Sequence, residues 1–193
     1  KKRQFYALPT AYYTPETRWA FGVGAIGFFK LDTASEQRIS SVRLSAAYTQ
    51  NKQILFTLPW TIFTPSNRFL IEGTLAFYRY PYFFTGLGYT PVKNGHYENY
   101  NAQFPRLTSK VLKRLGDNFY TGPQVYFQNT TMLSVDSTGF LLNKNIPGSD
   151  GGLVSAAGWL GVYDSRDNVL APQKGFFVML DLLRSDRLLG ADF

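Results

Sequence analysis

Few residues in this chain are of a type and spacing that could do chemistry. His96 is the only histidine among 193 residues, and cysteine is absent. A Ser-His-acid hydrolase needs His96 beside a serine and a carboxylate, and no G-x-S-x-G elbow is present. His96 sits in Asn94-Gly95-His96-Tyr97, a loop-tip sequence in which an exposed histidine is the ordinary finding. One histidine with scattered carboxylates makes no metal site, and without cysteine there is neither a thiolate ligand nor a disulfide framework. Gly22, Gly24 and Gly27 match G-x-G-x-x-G, but a dinucleotide site needs a strand before the glycines and a helix opening at them. Here the glycines lie inside a strand that Phe28 and Phe29 continue. Asn129-Thr130-Thr131 matches a glycosylation sequon and also lies inside an expected strand. The expectation is no enzyme, no cofactor and no metal.

The most organised polar stretch runs from Tyr163 to Phe177. An apolar, small-residue run leads into it and an apolar run leads out. Between them, Asp164, Arg166 and Asp167 precede Pro172 and Gly175, which reads as strand, turn and strand. Asp side chains bond nearby amides, Pro fixes one dihedral and Gly supplies a positive one. Arg166 can pair with Asp164 or with Asp167. The structural reading of this turn is favoured over a docking surface for a partner.

The rest of the chain follows the same grammar. Alternation predicts strands over residues 5–13, 18–31, 40–50, 53–61, 68–80, 99–115, 119–134, 153–163 and 176–184. In the second, Trp19, Phe21, Val23, Ala25, Phe29 and Leu31 oppose Ala20, Gly22, Gly24, Ile26 and Phe28. In the third, Val42, Leu44, Ala46 and Tyr48 oppose Ser41, Arg43, Ser45 and Ala47. In the fourth, Ile54, Phe56, Leu58 and Trp60 face outward. Pro9 places the first strand at an edge or weak seam, because proline donates nothing to a ladder. Pro105 suggests a bulge. Residues 81–97 and 135–151 read as long loops, and shorter turns fall elsewhere, so loops alternate roughly between short and long. No convincing helix is present.

Composition narrows the class. The chain holds 13 Tyr, 17 Phe, 3 Trp and 17 Gly, a mixture that favours strands, bulges and close packing. The formal charge of +7 raises the question of nucleic acid. However, the bases are scattered singly apart from the N-terminus and residues 110–114, and a basic stripe on a recognition fold is missing. No run approaches the ~18 apolar residues of a membrane helix. Tyr6-Ala7-Leu8-Pro9 is too short for the apolar core of a signal peptide, so export would mean a signal already removed. The expected strands approach the ~9–11 residues that cross a bilayer at a tilt. Polar residues punctuate one face of nearly every strand, and aromatic residues gather near strand ends, as in membrane barrels. A soluble antiparallel sandwich or barrel would also alternate. The expected fold is all-β, an antiparallel transmembrane β-barrel.

Leu8-Pro9-Thr10-Ala11-Tyr12-Tyr13-Thr14-Pro15-Glu16-Thr17-Arg18-Trp19-Ala20-Phe21-Gly22 resembles the opening of the barrel in BamA/TamA-type outer-membrane proteins, the bacterial surface antigen family. It looks most like Bacteroidetes forms that lack POTRA domains. Tyr82-Phe83-Phe84-Thr85-Gly86-Leu87-Gly88 is similar to the family's third outer loop. Asp164-Ser165-Arg166-Asp167, with Pro172 and Gly175, is similar to its mid-barrel periplasmic turn. The resemblance implies a sixteen-stranded barrel, of which residues 1–193 are a single domain holding about nine strands, incomplete at the C-terminus. The family's Val-Arg-Gly-Phe-type sixth-loop motif and its closing aromatic strand have no match here. The resemblance further implies the bacterial outer membrane as location and outer-membrane lipid and lipopolysaccharide as surroundings. The implied partners are client outer-membrane proteins or other subunits of a complex, with a role in outer-membrane protein assembly or translocation. The seam strand would hold Phe5, Tyr6, Leu8, Pro9, Ala11 and Tyr13. A passive channel or structural subunit is the alternative.

Overall fold

In a computed structural model the described residues are 3–15, 17–32, 38–86, 97–137, 139, 141–142, 148–167 and 171–192. They form nine strands: β1 (Gln4–Thr14), β2 (Arg18–Phe29), β3 (Ser40–Thr49), β4 (Ile54–Phe63), β5 (Phe69–Phe84), β6 (Glu98–Arg114), β7 (Phe119–Val135), β8 (Gly151–Asp164) and β9 (Phe177–Ser185). Each strand pairs antiparallel with the next in chain order. The fold is all-β, and the sheet is open, with β1 and β9 as its edges. Among the described residues no helix is long and apolar enough to cross a membrane.

Because residues opposite each other on paired strands share a face, the register sorts every side chain. One face carries Phe21, Val23, Val42, Leu44, Phe56, Leu58, Ile71, Leu75, Leu107, Val125, Trp159, Leu180 and Leu182. We call it the apolar face. Its only charged strand residues among those described are Arg79, Lys113 and Arg184. Lys113 and Arg184 stand next to strand ends, and Arg79 lies opposite Ile54, the first residue of β4. The other, mixed face carries Arg43, Glu72, Arg106, Lys110 and Asp181 well inside its strands.

Three proline positions leave their mark on the ladder. In antiparallel pairs, hydrogen-bonded and non-bonded residues alternate, so one bond fixes the direction of all the others on a strand. The bonds from Thr49 N to Gln53 O, from Arg114 N to Arg68 O and from Leu115 N to Phe119 O turn the nitrogens of Pro59, Pro105 and Pro123 toward β3, β7 and β6. At each, the pairing of that strand with that neighbour is interrupted and then resumes in the same register. Pro105 therefore opens a gap rather than the expected bulge. The register shift in β6 lies earlier, between Asn101 and Ala102. Pro81, expected in a loop, lies inside β5. Its nitrogen points to the β4 side beyond the start of β4, where no ladder donor is needed.

Strand lengths depart from the expectation. The outer strands have 9 to 14 residues, but β5, β6 and β7 have 16, 17 and 17. Their extra length lies toward the rim that holds the connections at 85–97 and 136–150. That rim also holds the short turns at 15–17 and 50–53, so loop length does not alternate cleanly. The opposite rim holds the connections at 30–39, 64–68, 115–118 and 165–176. At its tightest turn Gly116 has φ +80 and Leu115 N donates to Phe119 O (2.8 Å). At the 64–68 turn, Phe69 N donates to Thr64 Oγ1 (2.8 Å).

After β9 the chain turns once through a 3-10 segment, Arg187–Leu189. Asp186 accepts from Leu188 N (3.1 Å) and pairs with Arg184 (2.6 Å). These two contacts, the backbone bond first, hold its carboxyl below the usual carboxylate range. Asp192 N then donates to Leu153 O (3.0 Å), tying the tail to the start of β8.

Candidate functional site

Among the described residues, no group of three or more His, Asp or Glu is placed to hold a metal. His96 lies outside the described residues. The candidate features are therefore an edge strand, a rim turn and a row of charges across the mixed face.

The edge strand is β1. Phe5, Pro9, Ala11 and Tyr13 lie on its apolar face, and Tyr6 and Leu8 on its mixed face. All six are exposed, Phe5 at 73% and Leu8 at 70%. β1 pairs with β2 along its whole length, with Pro9 opposite Val23. Gln50 N donates to Trp19 O (2.7 Å), so the odd residues of β2 bond toward β3. Val23 and Pro9 then form a non-bonded pair, and the Pro9 nitrogen faces the free edge. The donor that proline removes belongs to the unpaired side of the sheet, not to the β1–β2 ladder.

The rim turn joins β8 to β9 at the other edge of the sheet, so the sheet order separates it from β1. Here the choice left open by the sequence is resolved. Arg166 grips Asp164 with two bonds, Nε to Oδ1 (2.8 Å) and Nη2 to Oδ2 (2.9 Å), and adds its backbone N–H to Oδ1 (3.2 Å). The hydrogen bond to that carboxylate raises the already high pKa of the guanidinium further. Its other side lies over the Phe177 ring at 4.7 Å. Asp167 has a different duty: its Oδ1 accepts from Gln173 N (3.0 Å) and Lys174 N (3.2 Å), closing the turn. Ser165 and Phe176 share three hydrogen bonds, Ser165 N and Oγ both donating to Phe176 O and Phe176 N donating to Ser165 Oγ, and Tyr163 stacks on Phe176 at 5.1 Å. Pro172 is exposed, and residues 168–170 of the turn lie outside the described residues.

Gly175 has φ +89, and a Cβ there would overlap the Ser165 carbonyl oxygen. Both strain and collision act against a side chain at this position. Gly175→Ala is expected to destabilise the β8–β9 hairpin by about 1–3 kcal/mol, read as a lower denaturant midpoint. An unchanged midpoint would mean that the turn does not hold the hairpin.

The mixed face is layered from this rim inward. Next to the rim, Leu112, Tyr120 and Leu160 form a buried cluster with Leu70 and Val162 against it. Leu112 and Leu160 are each 1% exposed, and burying such a side chain is worth about 1.5–3 kcal/mol. Tyr120 keeps a polar link at its end, O–H to Asn67 O (3.5 Å). Beyond the cluster a polar row crosses the sheet. Thr61 Oγ1 donates to Glu72 (3.5 Å), Lys110 pairs with Glu72 (2.8 Å), Gln124 lies opposite Lys110, and Gln124 Nε2 donates to Asp181 Oδ1. The last bond skips a strand, passing over Gly158 of β8, which lies opposite both Gln124 and Leu183.

Toward the far rim the same face turns aromatic. Tyr82 lies 5.5 Å from Tyr80, 5.6 Å from Tyr100 and 6.0 Å from Phe104, and Tyr78 lies 5.3 Å from Phe104. Arg106 lies 5.5 Å over Phe104 and donates from Nε to Gln128 (2.8 Å). Alternation along single strands does not show the row that Glu72, Lys110, Gln124 and Asp181 build. The available signal was Gly158, which alternation puts on the mixed face.

No protein-family model, no curated protein and no solved structure matches the chain.

Proposed function

We propose that this sheet is the wall of an outer-membrane β-barrel. The observation that carries the reading is the contrast between its faces. Across nine strands the apolar face holds three charged strand residues among those described, Arg79 inside β5 and Lys113 and Arg184 next to strand ends, all cationic, whereas the mixed face holds Arg43, Glu72, Arg106, Lys110 and Asp181, of both signs, inside its strands. Charges at the bilayer midplane are costly and water-facing ones are not, so lipid belongs on the first face and water on the second. Backbone groups on an open edge cannot be left bare in hydrocarbon. Further strands must therefore close the wall, sixteen in all in the family this chain resembles. The Asp164–Gly175 turn then stands on the periplasmic rim.

Within that barrel, β1 is one side of a seam that opens sideways and pairs with strands of client outer-membrane proteins. The support is the direction of the Pro9 nitrogen, which leaves the free edge one donor short. Pro9→Val restores that donor, worth about 1 kcal/mol, and is expected to slow release of a client barrel roughly fivefold in vesicles. Client assembly at the original rate would remove the seam from the account. A passive channel is the second reading, favoured by the two signs of charge on the mixed face. It predicts steady conductance in planar bilayers and no loss of barrel assembly on depletion, the reverse of the assembly reading.

A further inference from the structure

One transverse row of the apolar face runs Phe21, Tyr48, Ile54, Arg79 across β2 to β5. Beside it, the 50–53 turn brings Lys52 to the same rim. A hollow of about 650 Å³ opens here, lined by Trp19, Phe21, Tyr48, Thr49, Gln50 and Lys52. Trp19, Phe21 and Tyr48 are 51%, 62% and 56% exposed. The turn is held firmly. Thr49 and Gln53 are fully buried and bond to each other through Thr49 Oγ1 to Gln53 Oε1 (3.0 Å) and Gln53 N to Thr49 Oγ1 (3.1 Å). Lys52, at φ +60, donates its backbone N–H to Thr49 O (2.9 Å). Its ammonium is thus carried on a fixed base. Neither Lys52 nor Arg79 has an ion-pair partner among the described residues, in contrast to Lys110, Arg114, Arg166 and Arg184, each of which has a carboxylate.

Two unneutralised cations, Lys52 lining the aromatic hollow and Arg79 across β4 from Tyr48 in the same row, form an amphipathic site on the apolar face. Aromatic rings of this kind settle at the boundary of hydrocarbon and headgroups, and cations there attract anionic lipid. Arg offers a planar fork and Lys a point charge, both suited to phosphate oxygens. We propose that Lys52 and Arg79 bind the phosphate of an anionic membrane lipid whose chain lies in the Trp19–Phe21–Tyr48 hollow. This rests on the membrane reading above and adds which lipid chemistry is held and where.

The test uses the full chain folded into mixed vesicles of phosphatidylcholine and phosphatidylglycerol, then extracted and weighed with its retained lipid by native mass spectrometry. Phosphatidylglycerol is expected to be retained over phosphatidylcholine. The double variant Lys52→Gln/Arg79→Gln should lower that retention roughly tenfold. Lys113→Gln, on the same face at the opposite rim, should leave it unchanged, and millimolar inorganic phosphate should not displace the lipid. Equal retention of the two lipids, or equal loss in all variants, would overturn the site while leaving the membrane reading intact. Displacement by phosphate alone would replace the lipid with a free anion. Failure of the wild-type chain to enter vesicles would overturn both.

Discussion

Leu75→Arg is expected to cost the folded chain about 2–4 kcal/mol in a bilayer, the penalty for a cation facing lipid at mid-depth. Leu75 lies at the middle of β5 on the apolar face, directly between Leu58 and Leu107, with Phe127 next in the row. An arginine there has no carboxylate on its own face to meet. Thr74→Arg, one residue earlier, places the same charge on the mixed face, near Glu72 on its own strand and opposite Thr108. It is expected to change stability by less than about 1 kcal/mol, as lumen-facing substitutions tune selectivity rather than stability. Denaturant titration of the two variants in vesicles measures both. A soluble β-protein with Leu75 in its core would also suffer from the first change, but it would unfold the same way in water without vesicles.

The second large effect is expected at Gly158. A Cβ at this position would overlap the Leu182 carbonyl oxygen of β9. Its side chain would also rise into the path of the Gln124–Asp181 bond, which crosses β8 at this glycine. Gly158→Val is therefore expected to destabilise by on the order of 3 kcal/mol or more, with β9 released first. Gly161→Ala is the control. The nearest atoms to its Cβ belong to the Phe119 ring at 3.7 Å, an ordinary contact, and a change within ~0.5 kcal/mol is expected. Amide exchange across β8 and β9 separates the two: only the valine variant should expose the β9 amides. Protection of β9 in both variants would show that the row over Gly158 does not hold the edge.

What the sequence made legible was the local alternation, and the reason is geometric. Period two is visible wherever one face is apolar, as in Ile54, Phe56, Leu58 and Trp60, so strand positions and faces could be read directly. Strand ends depend on the neighbouring strands. β5 continues through Pro81 because the missing donor falls beyond β4, a fact about the neighbouring strand and not about residue 81. Pro105 suggests a bulge in the sequence because proline removes a ladder donor. The ladder tolerates that loss as a gap and shifts register at Asn101/Ala102 instead, where no proline or glycine signals it. The rim turn was legible in kind, since Asp, Pro and Gly announce a turn. The partner of Arg166 was not, because Asp164 and Asp167 both lie within two residues of it. Only the fold shows Asp167 occupied by the amides of Gln173 and Lys174. Contacts that skip a strand, such as Gln124 to Asp181, depend on two registers at once and leave no local pattern. The Lys52–Arg79 pair leaves no local pattern for the same reason: the two are far apart in the chain and are brought toward one rim only through the pairing of β3, β4 and β5.

The central claim is that one face of this sheet meets lipid and the other meets water. The absence of native cysteine allows single cysteines to be placed along β4 without a background. With the chain in vesicles, labels at Phe56, Leu58, Trp60 and Ile62 are expected to be quenched by a nitroxide in the lipid chains. Cysteines at Leu55, Thr57, Pro59 and Thr61 are expected to react with a charged, water-borne thiol reagent. A scan with no alternation, or one in which the Phe56–Ile62 positions react from water as fast as their neighbours, would contradict the account.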